Sequence, residues 1–250
     1  MKSRDPDNQG SADLAQFDQV AKFFRNDPAA LIEKIEAFPK YISRQAIAKF
    51  LTKYEIFKRI LPVNGSIVEC GVLHGSGLLT WAKLSSIFEP ANHVRKVIGF
   101  DTFEGFAGLA EQDIRTGTFK DLRAGGLAGS AYEHVLEAIR IYDLNRPIGH
   151  IPKVELVRGD FLGTADTYLE HNPHLVVALL YLDFDLYAPT KKAIETFMPR
   201  MPKGAIVAFD ELNARNFPGE TTAVIETIGL RQLRIERFTF DSYVSFAVLD

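Results

Sequence analysis

Five acidic side chains follow short apolar runs of the sequence, each at the point where a β-strand would end. They are Glu69, Asp101, Asp160, Asp183 and Asp210. In an open α/β sheet, the carboxyl ends of parallel strands meet at one edge, and ligands bind there. Because buried carboxylates need partners or metals, five of them at one edge indicate a functional site. As an alternative, each acid could cap the helix that follows it.

A glycine-rich turn follows the first of these acids. The stretch Ser66–Gly77 reads SIVECGVLHGSG and carries Gly71, Gly75 and Gly77. The β-branched run before the glycines predicts a buried strand, and the apolar spacing after them predicts a helix. Such a loop lets a ligand approach the backbone and points helix N–H groups at it. An ordinary βα turn that happens to be rich in glycine is the alternative.

The acid at the end of the second strand, Asp101, is suited to accept both hydroxyls of an adenosine ribose. One interpretation is a short-chain dehydrogenase that uses a nicotinamide cofactor, with Tyr187 and Lys191 as its YxxxK pair. Pro189 lies inside that stretch, which places Tyr187 at or before a helix start. Glu69 would also repel a pyrophosphate in the glycine loop. These features argue against the dehydrogenase.

The other interpretation is a methyltransferase that uses S-adenosylmethionine, which carries no phosphate. Its sulfonium and ammonium groups are positive, so a carboxylate at Glu69 suits them. The backbone around Gly71 would lie against the methionine portion, and the turn 159–161 would flank the adenine. The residues predicted to bind the cofactor are Glu69, Gly71, Gly75, Ser76, Asp101, Thr102, Phe103, Asp160, Phe161 and Asp183.

The remaining acids predict a metal site beside this cofactor. Asp183, Asp210 and Glu211 follow two apolar strands, and three carboxylates with waters suit a hard cation such as Mg²⁺. Such a metal can bind a substrate hydroxyl and lower its pKa. Asp183, Asp185 and His74 are the catalytic candidates, although strand alternation could direct Asp185 elsewhere.

The elements that would position these residues are five βα units followed by an antiparallel hairpin of strands 233–240 and 243–249, which turns at Asp241-Ser242. Two of the helices are predicted around Thr164–Glu170 and over Pro189–Met198. Before them we expect a disordered tail over residues 1–13 and helices over residues 14–62 that form a packing layer or a lid. The methyltransferase domain would span residues 63–250. The glycine-rich loop from Thr102 to Gly129 is long enough to be functional or mobile, and we expect a lid there.

Composition narrows the possible partners. The 250 residues carry a net charge of −3, which does not favour binding to nucleic acid or to an anionic membrane. No apolar run reaches the roughly 18 residues of a membrane span. The single cysteine, Cys70, suits a reducing cytoplasm. We therefore expect a cytoplasmic protein with a small-molecule partner, and the sequence leaves open whether it forms a homo-oligomer.

Five motifs, taken together and in this order, resemble the macrocin/mycinamicin type of sugar O-methyltransferase. They run from Val68 to Val224 and read VECGVLHGSG, FDTFEG, LDFDLYAPT, AFDELN and FPGETTAV. The resemblance implies that Asp183, Asp210 and Glu211 bind Mg²⁺. It also implies that Asp101 is the ribose acid and that Glu69 is the acid of the first motif.

The departures from that family's pattern lie mostly on the acceptor side. His74 stands where an arginine is usual, Phe184 replaces the glycine of DGD, and Ala188-Pro189 replaces Glu-Ser. Glu211 replaces an aspartate, and Thr221 stands at the basic position of FPGCRQAV.

Together these observations predict a class I methyltransferase fold. This is a Rossmann-like, doubly wound and mostly parallel seven-stranded α/β sheet, with a C-terminal antiparallel hairpin and an N-terminal helical extension. The predicted activity is O-methylation of a hydroxyl on a sugar or glycosylated metabolite, with S-adenosylmethionine and Mg²⁺. A methyltransferase-like protein that binds the cofactor without turnover is the alternative from another class.

Overall fold

The structure, a computed structural model, describes residues 10–114 and 121–250. The chain divides into two compact units, Met1–Leu51 and Thr52–Asp250. Of the predicted tail over residues 1–13, residues 1–9 lie outside the described part, and a helix already begins at Ser11. The third helix begins in the smaller unit and ends in the larger one, and the predicted domain boundary at residue 62 stays a prediction.

The smaller unit is helical. Its elements are α1 (Ser11–Asn26), α2 (Leu31–Glu36), a short 3₁₀ helix (Phe38–Lys40) and the start of α3 (Arg44–Ile60). Asp27 joins them, because its carboxylate accepts hydrogen bonds from Lys40 at 2.8 Å and from the Tyr41 hydroxyl at 2.7 Å. The Tyr41 ring in turn packs against Phe23 and Phe24 of α1. These hydrogen bonds and the aromatic contacts thus hold α1 to the segment after α2.

The larger unit is built on one seven-stranded sheet. Its strands are β1 (Ser66–Cys70), β2 (Val97–Asp101), β3 (Val154–Arg158), β4 (Val177–Leu182), β5 (Ile206–Phe209), β6 (Glu236–Arg237) and β7 (Ser245–Val248). Their order across the sheet is β3-β2-β1-β4-β5-β7-β6. The first five strands pair in parallel, and β7 runs antiparallel to both of its neighbours. This arrangement confirms the predicted class I methyltransferase fold.

Helices cover both faces of this sheet. They are α3 and α4 (Ser76–Phe88), α6 (Tyr132–Asp143), α7 (Phe161–His171), α8 (Tyr187–Phe197) and α9 (Pro218–Thr227), and the short α5 (Glu111–Ile114) packs against α9. Residues of α3, α4 and α6 share one core with Leu179 and Tyr181 of β4, and residues of α7, α8 and α9 share another with Leu180 and Leu182. Alternate residues of β4 thus supply the two cores, as the pleat of a strand requires. In the described ranges, no helix combines the length and the apolar character needed to cross a membrane.

Three element boundaries differ from the predictions for local reasons. Helix α7 begins at Phe161, ahead of the predicted Thr164, because Asp160 caps it by accepting a hydrogen bond from the Leu162 N–H at 3.1 Å. Helix α8 begins at Tyr187, so Pro189 falls in its first turn, where a missing N–H costs little.

The terminal hairpin is shorter than predicted, because Asp241 organises a longer connection between β6 and β7. Its carboxylate accepts hydrogen bonds from the Tyr243 N–H at 3.0 Å and from the buried Thr52 hydroxyl at 2.6 Å. These contacts hold the connection as a loop where the sequence pattern predicted strand.

The carboxyl ends of β1 and β4 meet too closely for a side chain at Gly71. The Asp183 N–H donates to the Cys70 carbonyl at 2.8 Å, which locks the two strand ends together. Gly71 has φ +97°, and a Cβ there would lie 2.0 Å from the Asp183 carbonyl oxygen. Only glycine fits this position without displacing Asp183.

We predict that Gly71→Ala destabilises the protein by at least about 2 kcal/mol, because backbone strain and overpacking each cost on the order of 1–3 kcal/mol. The matched control is Gly163→Ala in α7, where a Cβ would meet nothing within 4 Å. That substitution should be neutral or stabilise by up to about 1 kcal/mol. Urea unfolding of both variants measures the difference, and equal unfolding midpoints would contradict the close approach at Gly71.

Candidate active site

The glycine loop between β1 and α4 is shaped by Asp101 at the end of β2. One oxygen, Oδ2, accepts hydrogen bonds from the N–H groups of Val72 at 2.7 Å and Leu73 at 2.8 Å. The other, Oδ1, accepts from the Phe103 N–H at 2.7 Å. A carboxylate offers about four acceptor positions, so three are used to hold backbone. Asp101 therefore builds the loop as well as standing where a ribose is predicted.

The residues after Asp101 form a tight turn. The Thr102 hydroxyl donates to the Gly105 carbonyl at 2.6 Å and accepts from the Glu104 N–H at 3.1 Å. Phe103 adopts φ +58°, and its ring packs edge-on against Tyr132 of α6. These contacts fix the start of the loop that was predicted to be a lid. Residues 115–120 of that loop lie outside the described part of the chain.

The side chains of the 159–161 turn are engaged within the protein. Asp160 caps α7, as described above. The Phe161 ring is buried and packs against Phe100 at 5.2 Å and Phe184 at 4.8 Å between ring centroids. Phe161 thus contributes to the core, and its predicted contact with an adenine stays a prediction.

Glu69 lies buried beneath the start of α4. A Cβ on Gly77 would lie 1.9 Å from its Oε1, so the glycine makes room for the carboxylate. The pKa of Glu69 is raised to about 8, mainly by burial; Lys53 opposes this rise, and the negative charges of Asp183 and Asp210 add to it. Its Oε2 has no hydrogen-bond partner among the residues described. This buried acceptor suits the positively charged amino-acid end of the cofactor.

A buried lysine that sequence reasoning missed lies against Glu69. The Lys53 Nζ is 3.7 Å from Glu69 Oε1 and lies over the Tyr181 ring, 3.5 Å from its centroid, and the Trp81 ring, 4.8 Å away. The Tyr181 hydroxyl donates to Asp210 Oδ1 at 2.5 Å. Lys53 therefore links an acid on the cofactor side to an acid at the end of β5.

Three carboxylates converge where the strands β4 and β5 end. Asp183, Asp185 and Glu211 each offer an oxygen, and these oxygens lie within 4.8 Å of one another. Asp185 adopts φ +64°, so the chain leaves the alternating strand pattern after Asp183. An all-oxygen set of three carboxylates fits Mg²⁺.

This grouping differs from the predicted metal ligands in one member. Asp210 is not part of the convergent group, and its Oδ1 accepts the Tyr181 hydroxyl. Asp185, predicted as a catalytic residue, takes its place in the group. The assignment of Asp210 to the metal stays a prediction, and the geometry favours Asp185.

Glu220, at the first turn of α9, is a second acid that sequence reasoning missed. It is fully buried, and its Oε1 accepts a hydrogen bond from the Glu211 N–H at 3.0 Å. The residue lies inside the FPGETTAV motif. The sequence signal that could have found it is an acid on an otherwise apolar helix face.

The other candidate groups are more exposed. His74 Nδ1 lies 2.9 Å from the Ser130 Oγ, which ties the glycine loop to the end of the segment 102–129. The Tyr187 hydroxyl donates to Glu226 at 2.5 Å, with Lys191 Nζ 3.4 Å from that hydroxyl. This network between α8 and α9 explains the YxxxK spacing without hydride-transfer chemistry.

Comparison with protein-family profiles identifies the family of this chain. The profile of the TylF macrocin O-methyltransferase family matches residues 54–226, more than half of the chain. The chain belongs to this family. A search of curated protein sequences gave no match.

Solved structures agree with this assignment. A crystal structure of CalS11, a calicheamicin methyltransferase, is 30% identical over 99% of both chains, with a TM-score of 0.91. An apo structure of CalS11, described as a TDP-rhamnose 3′-O-methyltransferase, is 29% identical over 96% of this chain and 95% of that one, with a TM-score of 0.83. The O-methyltransferase NovP, 20% identical over 94% of this chain and 96% of that one, shares the fold at a TM-score of 0.68.

These findings confirm the resemblance drawn from the five motifs. The chain is a member of a family of S-adenosylmethionine-dependent sugar O-methyltransferases.

The buried state of Glu69 predicts a pH dependence of stability. Its pKa is about 8 in the folded protein and about 4.5 when exposed. Between these values the folded state holds a proton that the unfolded state has lost, so stability falls as pH rises through this window.

In Glu69→Gln this dependence is absent. Between pH 5 and 8, the free energy of unfolding of the variant minus that of wild type should therefore increase by up to about 1.4 kcal/mol per pH unit. Denaturant unfolding in EDTA at several pH values measures this difference, with Glu170→Gln on the exposed face of α7 as the control. A difference that does not change with pH would contradict the raised pKa.

Proposed function

We propose that this protein methylates a hydroxyl of a sugar carried by a nucleotide or a glycoside, with Mg²⁺ at the acidic cluster. The observation that carries the proposal is the match to CalS11 at 30% identity over nearly the whole of both chains. One CalS11 structure is described as a TDP-rhamnose 3′-O-methyltransferase. A nucleotide-linked deoxysugar is therefore the first acceptor to test.

The cofactor half of the site is supported by the residues around the glycine loop. When bound, S-adenosylmethionine supplies an electrophilic methyl group. Glu69 offers an unpartnered buried oxygen to a cationic group, and the Cβ-free backbone at Gly71 permits close approach. Asp101 holds the loop N–H groups and has acceptor capacity left for a ribose hydroxyl.

The acceptor half is supported by the carboxylates at the ends of β4 and β5. When bound, Mg²⁺ polarises a hydroxyl oxygen and lowers the pKa of that hydroxyl. Asp183, Asp185 and Glu211 would hold the ion. A carboxylate of this set that is not fully engaged with the metal would take the proton from the hydroxyl. Orienting the hydroxyl oxygen toward the methyl group is the main task of these side chains.

We predict that Asp101→Ala weakens S-adenosylhomocysteine binding by about 30- to 1000-fold, because hydrogen bonds to a charged group and the loop geometry are lost together. The matched control is Asp166→Ala on α7, which removes an exposed ion pair with Lys192. Isothermal titration calorimetry measures both affinities. Unchanged binding in Asp101→Ala, or binding of NAD in place of S-adenosylhomocysteine, would refute the cofactor assignment.

We predict that EDTA abolishes methyl transfer to TDP-rhamnose while leaving S-adenosylhomocysteine affinity nearly unchanged, because Glu69 and Asp101 do not depend on the metal. Asp183→Asn should behave like the chelated enzyme. Transfer of a labelled methyl group, with and without added Mg²⁺, measures this. Full activity in EDTA would exclude the metal role, and no transfer to any sugar acceptor despite tight cofactor binding would favour a protein without turnover.

The third metal ligand can be decided by comparing two conservative variants. If the geometry is correct, Asp185→Asn should weaken Mn²⁺ binding at least tenfold more than Asp210→Asn, since Asp210 is engaged by the Tyr181 hydroxyl. Titration of the apo proteins with Mn²⁺, followed by the electron paramagnetic resonance signal of the free ion, measures both affinities. The opposite order would restore Asp210 to the ligand set.

A further inference from the structure

The carboxylate of Glu220 is buried, and the free-energy cost of that burial must be offset. It has no exposed surface, and the carboxylates of Asp210, Asp185 and Asp183 act on it electrostatically. Taking a carboxylate out of water is expensive unless hydrogen bonds or a cation compensate. One oxygen has such compensation, because Oε1 accepts the Glu211 N–H at 3.0 Å.

The other oxygen of Glu220 is left without a hydrogen bond. Oε2 is buried and has no partner among the described residues. The carboxylates that act on Glu220 electrostatically include two of the three that converge on the predicted metal position, Asp183 and Asp185. The third member of that group, Glu211, is the residue whose backbone Glu220 holds.

The helix that carries Glu220 is itself fixed in place. A Cβ at Gly219 would lie 2.0 Å from Asp113 Oδ1 and 2.5 Å from the Tyr187 nitrogen, so α9 approaches this point as closely as glycine allows. Asp113 in turn accepts hydrogen bonds from the N–H groups of Tyr187 and Ala110, both at 2.7 Å. Glu220 is thus held on a rigid element beside the acidic cluster.

We propose that Glu220 is a positioning residue of the metal site. It places Glu211 through Oε1, and with a cation bound its carboxylate adds a fourth negative charge near the ion. This inference rests on the metal in the proposed function. It goes beyond that proposal because it assigns a role to a residue outside the convergent group of three.

The test is Mn²⁺ binding by apo protein prepared with EDTA. Glu220→Gln keeps an oxygen that can accept the Glu211 N–H but removes the negative charge, so Mn²⁺ affinity should fall by about 10- to 100-fold. The matched control is Glu226→Gln, on the same helix with a more exposed side chain, which should bind Mn²⁺ like wild type. S-adenosylhomocysteine affinity should be unchanged in both variants.

Stability of the apo protein separates this role from a purely structural one. Because Glu220→Gln removes an acidic group whose burial is only partly compensated, it should unfold at the same or a higher temperature than wild type in EDTA. A structural glutamate would instead lose stability on this substitution. If Glu220→Gln does not fold, Glu220→Asp, whose carboxylate is drawn back by about one methylene, should weaken Mn²⁺ at least fivefold.

Two outcomes would overturn the inference, and they are distinguishable. Mn²⁺ affinity within twofold of wild type in the folded variant removes Glu220 from the site and leaves the metal proposal intact. Failure of the wild-type protein itself to bind Mn²⁺ at millimolar concentration removes the metal and the role of Glu220 together.

Discussion

The concentration of negative charge at one edge of the sheet is the constraint on which the rest of the site depends. Glu69, Asp210, Glu211 and Glu220 are all buried there, with Asp183 beside them. Like charges at such distances repel unless protons, cations or hydrogen-bond donors intervene. The fold supplies a cation at Lys53, a hydroxyl donor at Tyr181 and backbone N–H groups, and the convergent acids leave a position suited to a metal ion.

The fold and the general place of the site could be predicted from the sequence because both follow from local patterns. Apolar runs that end in acids predicted the parallel strands, and parallel pairing then forced those acids to one edge. Glu69, Asp101 and Asp183 lie there as predicted, and the glycine spacing located the loop. The register of β1 against β4 places Glu69 opposite Tyr181.

The details that could not be predicted depend on contacts distant in sequence. Strand alternation could not reveal that Asp185 adopts φ +64°, which brings it to Asp183 and Glu211. Nothing near Asp210 showed that the Tyr181 hydroxyl would engage it. Lys53 lies on the apolar face of α3 with Ile56 and Ile60. A lysine on such a face indicates a buried acidic partner only when the strand that it packs against is known.

The two halves of the site are built from different parts of the chain, and this difference explains where the sequence departs from its family. The cofactor half depends on backbone geometry. Residue 71 must be a glycine because a Cβ there would clash with Asp183, and the Asp101 carboxylate holds N–H groups of the loop. Substitutions there would disturb the sheet itself. The acceptor half depends on side chains that follow β4 and β5, such as Phe184, Asp185 and Glu211, which can change while the strands stay in register. Selection for a new acceptor would therefore alter the second half first. Four of the five departures from the resembled pattern lie there, at Phe184, Ala188-Pro189, Glu211 and Thr221, and only His74 lies in the glycine loop.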